Sequence, residues 1–457
     1  MSQFARTAQL LRPSVRTVTS PGKKIGLLDH LGHGNLGDDA TLDAVVSNIR
    51  SRWPQASLIA LTLNPSDTEE RHGIPSYAIR RDSKSRSSAA QSKPAEGVLK
   101  TRIKSALSRH RLVLAALRIV SELAITAPKA LFEELSFLTE SFMVAKKLDL
   151  LVICGGGQLL DSWGGPWKFP YTLFKWILLA KLSGTRCYFV NVGAGPLTHP
   201  SSKWLIKRAL SLADYVSFRD ADSQALIRGT TGFAGRSQVV ADSVYSLEIP
   251  LQNATRPPSC GNRIVGFSPM AYCDPRAYWD KKQDVYASYI QRLSMFGSWL
   301  IEQHHRLMLF STDIWFDSRA IEDLNRTLLS TRTMINLEQS ICQPVIEAFA
   351  GLTTAMCSVD YIVTSRYHGV VFAHMFNKPV LAISHHQKVA SLMKDLGLSE
   401  YCVDIQTFDL DLLTDTFARM SANQEEIKAQ MAGQADRYKR QLETQFDALF
   451  QYEADTV

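Results

Sequence analysis

The sequence predicts an α/β protein of two domains, each a parallel sheet covered by helices. The chain has 457 residues, which exceeds the roughly 250–300 residues that a single hydrophobic core usually serves. Short runs rich in β-branched residues alternate with helical patterns, as is typical of parallel sheets. The alternation stops at residues 252–262, which contain prolines and a glycine, and then starts again. This segment therefore predicts a linker between two domains of the same architecture.

The composition is that of an ordinary globular protein, with 45% hydrophobic and 21% charged residues. The 51 basic and 44 acidic residues give a formal net charge of +7, and much of the excess lies in segment 80–118. The rest of the chain is therefore closer to neutral. This distribution argues against nucleic acid as the main partner and fits a local site for anions or a membrane surface.

Cysteine usage and hydrophobicity predict a cytoplasmic protein. The seven cysteines are scattered and form no C-x-x-C pair, which indicates a reducing compartment rather than a disulfide framework or a zinc site. The predicted N-terminal tail, residues 1–22, contains arginines but no apolar core, so we do not interpret it as a signal peptide. No apolar run reaches the roughly 18 residues that span a bilayer.

The first domain is predicted at 23–251 and starts with a strand at 23–28, a glycine-rich turn and a helix. Three glycines match the G-x-G-x-x-G pattern of dinucleotide sites: Gly32, Gly34 and Gly37. Against an NAD site, Asp38 and Asp39 place negative charge where a pyrophosphate would lie. The strand at 57–63 also lacks the following acid that holds a ribose. The same glycines suit a tight turn, with Asp38 as the helix N-cap.

Residues 67–99 interrupt the alternation. The basic, serine-rich part near 80–99 predicts a mobile insertion. The helical pattern that follows, 99–147, contains apolar runs flanked by arginines. Such a basic amphipathic helix either lies on an anionic membrane surface or packs on its own domain, and the sequence leaves both open.

Two further strands of the first half end in glycines. The strand at 149–154 ends in Gly155-Gly156-Gly157, which let a ligand approach the backbone closely, and the strand at 186–191 leads to Gly193-Ala194-Gly195-Pro196. Aromatic residues follow the first of these strands and either stack on sugar faces or belong to a core or a domain interface: Trp163, Trp167, Phe169 and Tyr171.

The strand at 214–218 is followed directly by Arg219 and by Asp220-Ala221-Asp222. That acidic pattern imitates a metal-binding motif, but it favours helix N-capping. In the second half, strands at 263–268 and 306–311 alternate with helical patterns. The segment 424–457 is predicted to carry a polar C-terminal helix that crosses back onto the first domain.

The strand at 359–364 leads into Ser365-Arg366-Tyr367-His368-Gly369 and a buried helix. Ligands of open α/β sheets bind beyond the carboxyl ends of the strands, which makes Arg366 and His368 candidate site residues. Arg366 offers a two-pronged donor for a carboxylate or a phosphate, and His368 can exchange a proton near neutral pH. The alternative is that Arg366 caps a surface and His368 is a core histidine. The next strand, 380–383, leads to Lys388.

Taken together, these positions resemble the polysaccharide pyruvyl transferase family, from about Lys23 to about Leu398. The resemblance depends on the order of the motifs at successive strand ends. The matching residues are Gly34-Asn35-Leu36-Gly37-Asp38, Gly155-Gly156-Gly157 with Asp161, Gly193-Ala194-Gly195-Pro196, Arg219-Asp220 with Ser223, Asp242, Ser365-Arg366-Tyr367-His368-Gly369 and Lys388. The sequence departs from the family pattern at Asp39, Val192 and Ser243.

The resemblance implies two Rossmann-like domains facing across a cleft, the glycosyltransferase-B-like arrangement, with the donor site on the C-terminal domain at 263–423. It also implies transfer of a pyruvyl group from phosphoenolpyruvate to a hydroxyl pair of a sugar, forming a pyruvate ketal, in a polysaccharide or its lipid-linked precursor. Such a donor carries a carboxylate and a phosphate, so we expect several cationic side chains to bind it: Arg219, Arg366 and Lys388. The scheme requires no metal or redox cofactor.

Within this scheme His368 is expected to bind the donor and to act as the general acid or assist phosphate departure, while Asp38 accepts a proton from the sugar. Other residues are expected to line the cleft: Asn35, Gly155, Gly156, Gly157, Asp161, Gly195 and Asp242.

Two other functions remain open on the same frame, because a fold does not fix a function. One is a sugar-nucleotide-dependent glycosyltransferase, for which Glu347 is the candidate nucleotide-binding acid. The other is a noncatalytic partner in a polysaccharide-assembly complex, tethered to a membrane through residues 80–131.

Overall fold

The structure, a computed structural model, describes residues 22–81, 132–249, 263–276, 278, 280–330 and 340–451. The predicted N-terminal tail up to residue 21, the insertion from residue 82 onward, residues 99–131 of the basic helical segment and the linker lie outside these residues.

The first sheet has seven parallel strands in the order β3-β2-β1-β4-β5-β6-β7. The strands are β1 Lys24–Leu28, β2 Ser57–Thr62, β3 Ser76–Ala78, β4 Leu150–Cys154, β5 Arg186–Val192, β6 Tyr215–Phe218 and β7 Gln238–Val239. The helices of this half are α1 Leu36–Arg52, α2 Pro65–His72, α3 at 132–145, α4 Phe169–Leu182, α5 Pro200–Leu212 and α6 Ala221–Thr231. The strand order reverses between β1 and β4, which opens a crevice at their carboxyl ends.

The second sheet has six parallel strands in the order β10-β9-β8-β11-β12-β13. The strands are β8 Ile264–Ser268, β9 Arg306–Leu309, β10 Ile341–Cys342, β11 Tyr361–Thr364, β12 Val380–Ser384 and β13 Cys402–Asp404. The helices are α7 Gln283–Glu302, α8 Ser318–Ser330, α9 Phe349–Ser358, α10 Tyr367–Met375, α11 Gln387–Asp395, α12 Leu410–Ala422 and α13 Gln424–Gln451. Here the order reverses between β8 and β11.

The central strands explain why the sequence shows apolar runs rather than alternation. β4, β8, β11 and β12 are buried at every residue, because helices cover both faces of a parallel sheet. The fold is thus the predicted pair of parallel α/β sheets. The short strands β3, β7, β10 and β13 were not predicted, since two or three residues carry too little pattern.

The two halves meet directly in front of α1. The amide of Leu36 donates to the carbonyl of Thr312 at 2.9 Å, and the amide of Ile314 donates to the carbonyl of Gly34 at 2.9 Å. Helix α13 crosses back onto the first sheet, where Gln445 Nε2 donates to Asn191 Oδ1 at 2.8 Å. These contacts bring the carboxyl ends of both sets of strands to one cleft.

The predicted N-cap of α1 was wrong. The chain turns at Gly34, which has a positive φ of 71°, and Asn35 then caps the helix by accepting a hydrogen bond from the Gly37 amide at 3.0 Å. Asp38 therefore lies inside the first turn, where the amide ends of the helix favour a negative charge.

Among the described helices, none combines the length and the apolar character needed to cross a bilayer.

Candidate active site

Four strand ends converge on the cleft, β4 and β6 of the first half and β11 and β12 of the second. They bring together Arg219, which directly follows β6, His368 in the first turn of α10, and Lys388 in the first turn of α11. The sequence placed these three side chains at strand ends, and the structure places them near one another.

Arg219 is almost fully enclosed, with 3% of its side chain exposed. Its Nη1 donates to Asp242 Oδ2 at 3.2 Å, and its Nε lies 3.6 Å from Asp220 Oδ2. The guanidinium lies over the ring of Tyr367 at 3.9 Å, so the second half supplies one wall of its site. Neither Nε nor Nη2 has a hydrogen-bond partner among the described residues, which leaves donors for a ligand.

Lys388 reaches across the cleft toward Gly155-Gly156-Gly157, the glycine loop that follows β4 in the first half. A Cβ atom added to Gly157 would lie 3.5 Å from Lys388 Nζ. The Nζ makes no hydrogen bond or ion pair with any described residue. Burial, together with the positive charge of Arg219, lowers the pKa of Lys388 to about 8. Lys388 is thus a cation whose charge is not balanced by a direct partner.

His368 lies against the first half and has 8% of its surface exposed. A Cβ atom on Gly37 would overlap the His368 imidazole, so the glycine is required for this close approach. The buried Nε2 has no hydrogen-bond partner among the described residues. Burial lowers the pKa of His368 below its ordinary value, against the opposing charge of Asp38.

Asp38 belongs to a row of three buried titratable side chains, of which the sequence analysis predicted Asp38 but missed His30 and Asp29. Its Oδ2 lies 3.0 Å from His30 Nε2, and His30 Nδ1 lies 2.8 Å from Asp29 Oδ1. Burial lowers the pKa of His30, but the carboxylates of Asp38 and Asp29 outweigh burial and raise it to about 10.

The same charges act on Asp38 in the opposite direction. Burial raises its pKa, but the charges of His30, His368 and Arg219 outweigh burial and hold that pKa below its usual range. Asp38 is therefore a carboxylate that stays ionised at neutral pH.

Arg366 is held differently from Arg219. It donates from Nε and Nη2 to the two carboxylate oxygens of Asp317, at 2.7 and 2.6 Å, and Nη2 also lies 3.2 Å from Asp313 Oδ2. Of its five donors, those on Nη1 have no partner among the described residues, and 24% of the side chain is exposed. Burial raises the pKa of Asp313 to about 7.

The cleft contains a cavity of ≈ 270 Å³. Its wall includes Arg219 and Asp242 from the first half, Tyr367 and Lys388 from the second, and Tyr438 from α13. Arg366 and His368 do not line this cavity, so the two arginines do not share it. Both guanidinium charges nevertheless act on Lys388.

The glycines predicted to line the cleft have a steric role. Gly155 and Gly156 have positive φ values of 32° and 64°. Added Cβ atoms would lie 2.4 Å from a Thr41 methyl carbon at Gly155 and 2.9 Å from His30 Cε1 at Gly156. They let α1 and the His30 row pack against the end of β4. Gly195 lies one step further from the site, where a Cβ would meet the side chain of Leu160.

Three other predicted residues hold the local backbone. Asn35 is the α1 cap, as described above. Asp161 accepts hydrogen bonds from the amides of Thr198 and His199 at 2.9 and 2.8 Å. Asp242 caps the turn that follows it, through the Val244 amide, and balances Arg219.

The acidic pattern after Arg219 is a helix cap, as predicted. Asp220 Oδ1 accepts a hydrogen bond from the Ser223 amide at 2.6 Å. Within the residues described, no three histidine, cysteine or acidic side chains cluster in a way that could hold a metal ion. Glu347 is exposed, and its backbone carbonyl accepts a hydrogen bond from Arg71 at 2.7 Å.

The missed residues carried a signal that was available in the sequence. Asp29 and His30 directly follow β1, as Arg219 follows β6. Asp313 and Asp317 lie in the segment after β9. Since ligands of open α/β sheets bind beyond the strand ends, these residues were candidates on the same grounds as Arg219. The pairing of Arg366 with Asp317 has no such signal, because the two lie 49 positions apart.

This arrangement agrees with a match to a known family. The model of a family described as polysaccharide pyruvyl transferase matches residues 35–387, most of the chain. The chain belongs to the polysaccharide pyruvyl transferase family. The matched region contains Arg219, Arg366 and His368, and Lys388 follows it directly.

Solved structures show the same two-domain fold at low sequence identity. The chain is similar to S. aureus MnaA in its co-structure with UDP, with a TM-score of 0.52, 11% identity and coverage of 94% of this chain and 97% of that one. It is also similar to the UDP-GlcNAc 2-epimerase of Methanocaldococcus jannaschii, with a TM-score of 0.52, 9% identity and coverage of 87% and 92%. These likenesses establish the glycosyltransferase-B-like fold. No curated protein matches the sequence significantly.

Proposed function

We propose that this member of the pyruvyl transferase family moves the pyruvyl group of phosphoenolpyruvate onto two hydroxyls of a sugar, in a polysaccharide or its lipid-linked precursor. One observation carries the proposal. Arg219 from the first half and Lys388 from the second line one cavity, and both keep donors that no described residue takes. A small ligand with a carboxylate and a phosphate is suited to such a pair.

The reaction sets the requirements for the site. Carbon 3 of the enol gains a proton and becomes a methyl group. Carbon 2 forms bonds to two sugar oxygens, while its bond to the phosphate oxygen breaks. The sugar loses two hydroxyl protons, which balance the proton taken by carbon 3 and the proton that leaves with phosphate. The reaction is redox-neutral overall, so we propose phosphoenolpyruvate as a co-substrate and no further cofactor.

In this proposal His368 binds the donor and delivers a proton. Burial keeps the imidazole largely neutral in the free protein, and a doubly anionic ligand beside it would favour the charged form. Protonation on ligand binding would make His368 an acid only when the donor is present. The unpartnered Nε2 is the atom available for this role.

Asp38 is proposed to take the proton of the attacking hydroxyl. A carboxylate with a lowered pKa is a weak base, so the transfer would occur as the hydroxyl becomes acidic during attack. His30 lies against the carboxylate through Oδ2, and Asp29 Oδ1 lies 2.8 Å from Nδ1 on the other side of the His30 ring. His30 is thus a positioning residue.

The activity can be tested with purified protein, phosphoenolpyruvate and a panel of methyl glycosides. We expect phosphate release together with a product heavier by one pyruvate less one water. The His368→Ala variant should lose transfer and keep its fold, because the His368 side chain makes no hydrogen bond with a described residue. Near-normal activity of this variant would refute the role of His368.

The same preparation distinguishes the glycosyltransferase alternative. Phosphoenolpyruvate should raise the melting temperature, because it binds the folded state, and UDP-sugars should not. Stabilisation by a UDP-sugar without any by phosphoenolpyruvate would contradict the proposal. We propose that the reaction takes place in the cytoplasm, with contact to the membrane surface when the acceptor is lipid-linked.

A further inference from the structure

Trp163 is a large apolar side chain that remains 47% exposed beside the candidate site. Its ring centroid lies 5.5 Å from that of His30 and 5.7 Å from that of Phe169. His30 in turn holds Asp38 at 3.0 Å. The described contacts thus run from the exposed indole through the imidazole of His30 to the carboxylate of Asp38.

We propose that Trp163 is the platform on which the acceptor sugar stacks while it presents its hydroxyls to Asp38. The proposal deepens the proposed function and rests on it. A pyranose has an apolar face of C–H groups and a rim of hydroxyls. A half-exposed indole that contacts the imidazole holding an ionised carboxylate matches both features, since aromatic faces take the apolar surface and a few polar groups fix orientation.

The loop that carries Trp163 is held in place. Asp161, two residues earlier, accepts hydrogen bonds from the amides of Thr198 and His199, and its own carbonyl accepts one from Gly165 at 2.9 Å. Gly164 and Gly165 have positive φ values of 98° and 77°, which makes the tight turn possible. A fixed aromatic ring loses little conformational entropy when a ligand binds. Asp161 is therefore placed to position the platform.

Another exposed tryptophan provides a matched control. Trp204, on α5, is 52% exposed, and its ring pairs with Phe174 at 5.5 Å. None of its described contacts involves a residue of the candidate site. Removing it deletes a similar exposed indole without touching the His30 row.

The first experiment measures binding without the donor. Protein labelled with 5-fluorotryptophan is titrated with the methyl pyranosides of glucose, galactose, mannose and N-acetylglucosamine, and the ¹⁹F resonance of Trp163 is assigned from Trp163→Phe. We expect at least one glycoside to shift the Trp163 resonance saturably and to leave the Trp204 resonance unchanged. If no glycoside shifts Trp163, or if both resonances move alike, the platform is overturned.

The second experiment uses the transfer reaction. Trp163→Ala should raise KM for the acceptor about tenfold, the order of a lost aromatic stacking contact, with KM for phosphoenolpyruvate unchanged. Trp163→Phe should restore most of the acceptor affinity, and Trp204→Ala should behave as the parent protein. An unchanged acceptor KM in Trp163→Ala would overturn the proposal.

The two experiments separate this inference from the proposed function. Glycoside binding at Trp163 without any phosphate release would support the platform and refute pyruvyl transfer. Ketal formation with equal acceptor KM in the parent and in Trp163→Ala would support transfer and refute the platform.

Discussion

The two edges of the cleft treat their arginines in opposite ways. On the first-half edge, Arg219 has one hydrogen bond to a carboxylate, at 3.2 Å, and keeps Nε and Nη2 without hydrogen-bond partners among the described residues. On the second-half edge, Arg366 is fixed by both oxygens of Asp317 and lies near Asp313. The residue types and strand-end positions are the same, yet the donors left for a ligand differ.

The difference supports a division of roles between the cations in the proposed site. A bidentate arginine–carboxylate pair satisfies most of the guanidinium and fixes its orientation. On the second-half edge, Lys388 is the cation that has no direct partner among the described residues. We infer that Arg219 and Lys388 provide the anion site and that Arg366 chiefly anchors the loop after β9, with Nη1 left for a supporting contact.

Replacement of Lys388 tests the proposed anion site of Arg219 and Lys388 and should have the largest effect. Lys388→Met should reduce kcat/KM for phosphoenolpyruvate ~10²–10³-fold, because a preorganised charge facing the ligand is lost. The melting temperature should not fall, since a buried cation without a direct partner is removed rather than a pair broken. Steady-state kinetics and thermal unfolding measure the two effects.

The control for this variant lies on the same helix. Lys394 is exposed near the end of α11, and Lys394→Met should leave the kinetics unchanged. A Lys388→Met protein with full activity would show that Lys388 and Arg219 do not form the donor site.

Replacement of Arg366 tests the ion pair of Arg366 with Asp317, and here we expect the effect on stability to dominate. Arg366→Met leaves the buried Asp317 without its cation and should cost about 3 kcal/mol in the free energy of unfolding. The double variant Arg366→Met/Asp317→Asn should recover part of that loss, because the uncompensated charge is removed. Denaturant titration measures both. If Arg366→Met unfolds like the parent protein but loses all activity, Arg366 is a ligand-binding group and the comparison fails.

The sequence predicted the architecture well because parallel strands buried on both faces leave continuous apolar runs, as in β4 and β11. Its strand ends selected Arg219, Arg366 and His368 as candidates, because ligands of open α/β sheets bind beyond those ends. The resemblance added Lys388 and placed all four in one donor site, but Arg366 and His368 do not line the cavity of Arg219 and Lys388. The sequence did not predict which arginine is closed by acids. The partners Asp242 and Asp317 lie 23 and 49 positions from their arginines, and such pairings depend on tertiary packing.

The structure also adds to the site two strand-end residues that the sequence analysis did not select, Asp29 and His30. His30 directly follows β1, and its role depends on being sandwiched between Asp29 and Asp38, which no local pattern shows. The ionised state of Asp38 follows from the charges of His30, His368 and Arg219, which add to the favourable position of the carboxylate in the first turn of α1.

The smallest expected effect is the pH dependence of kcat/KM for phosphoenolpyruvate that the Lys388 cation causes. Burial and the charge of Arg219 lower the pKa of Lys388 to about 8 in the free protein, so the cation is present below this pH and lost above it. Because kcat/KM reports the free enzyme, its value for phosphoenolpyruvate should be steady around pH 7 and fall up to about tenfold per pH unit above pH 8. Lys388→Arg keeps its charge throughout this range, so the alkaline fall should disappear in that variant. An unchanged alkaline fall in Lys388→Arg would assign the titration to another group. Lys388 would then not be the cation whose charge controls donor binding, and its difference from the paired Arg366 would have no effect on the kinetics.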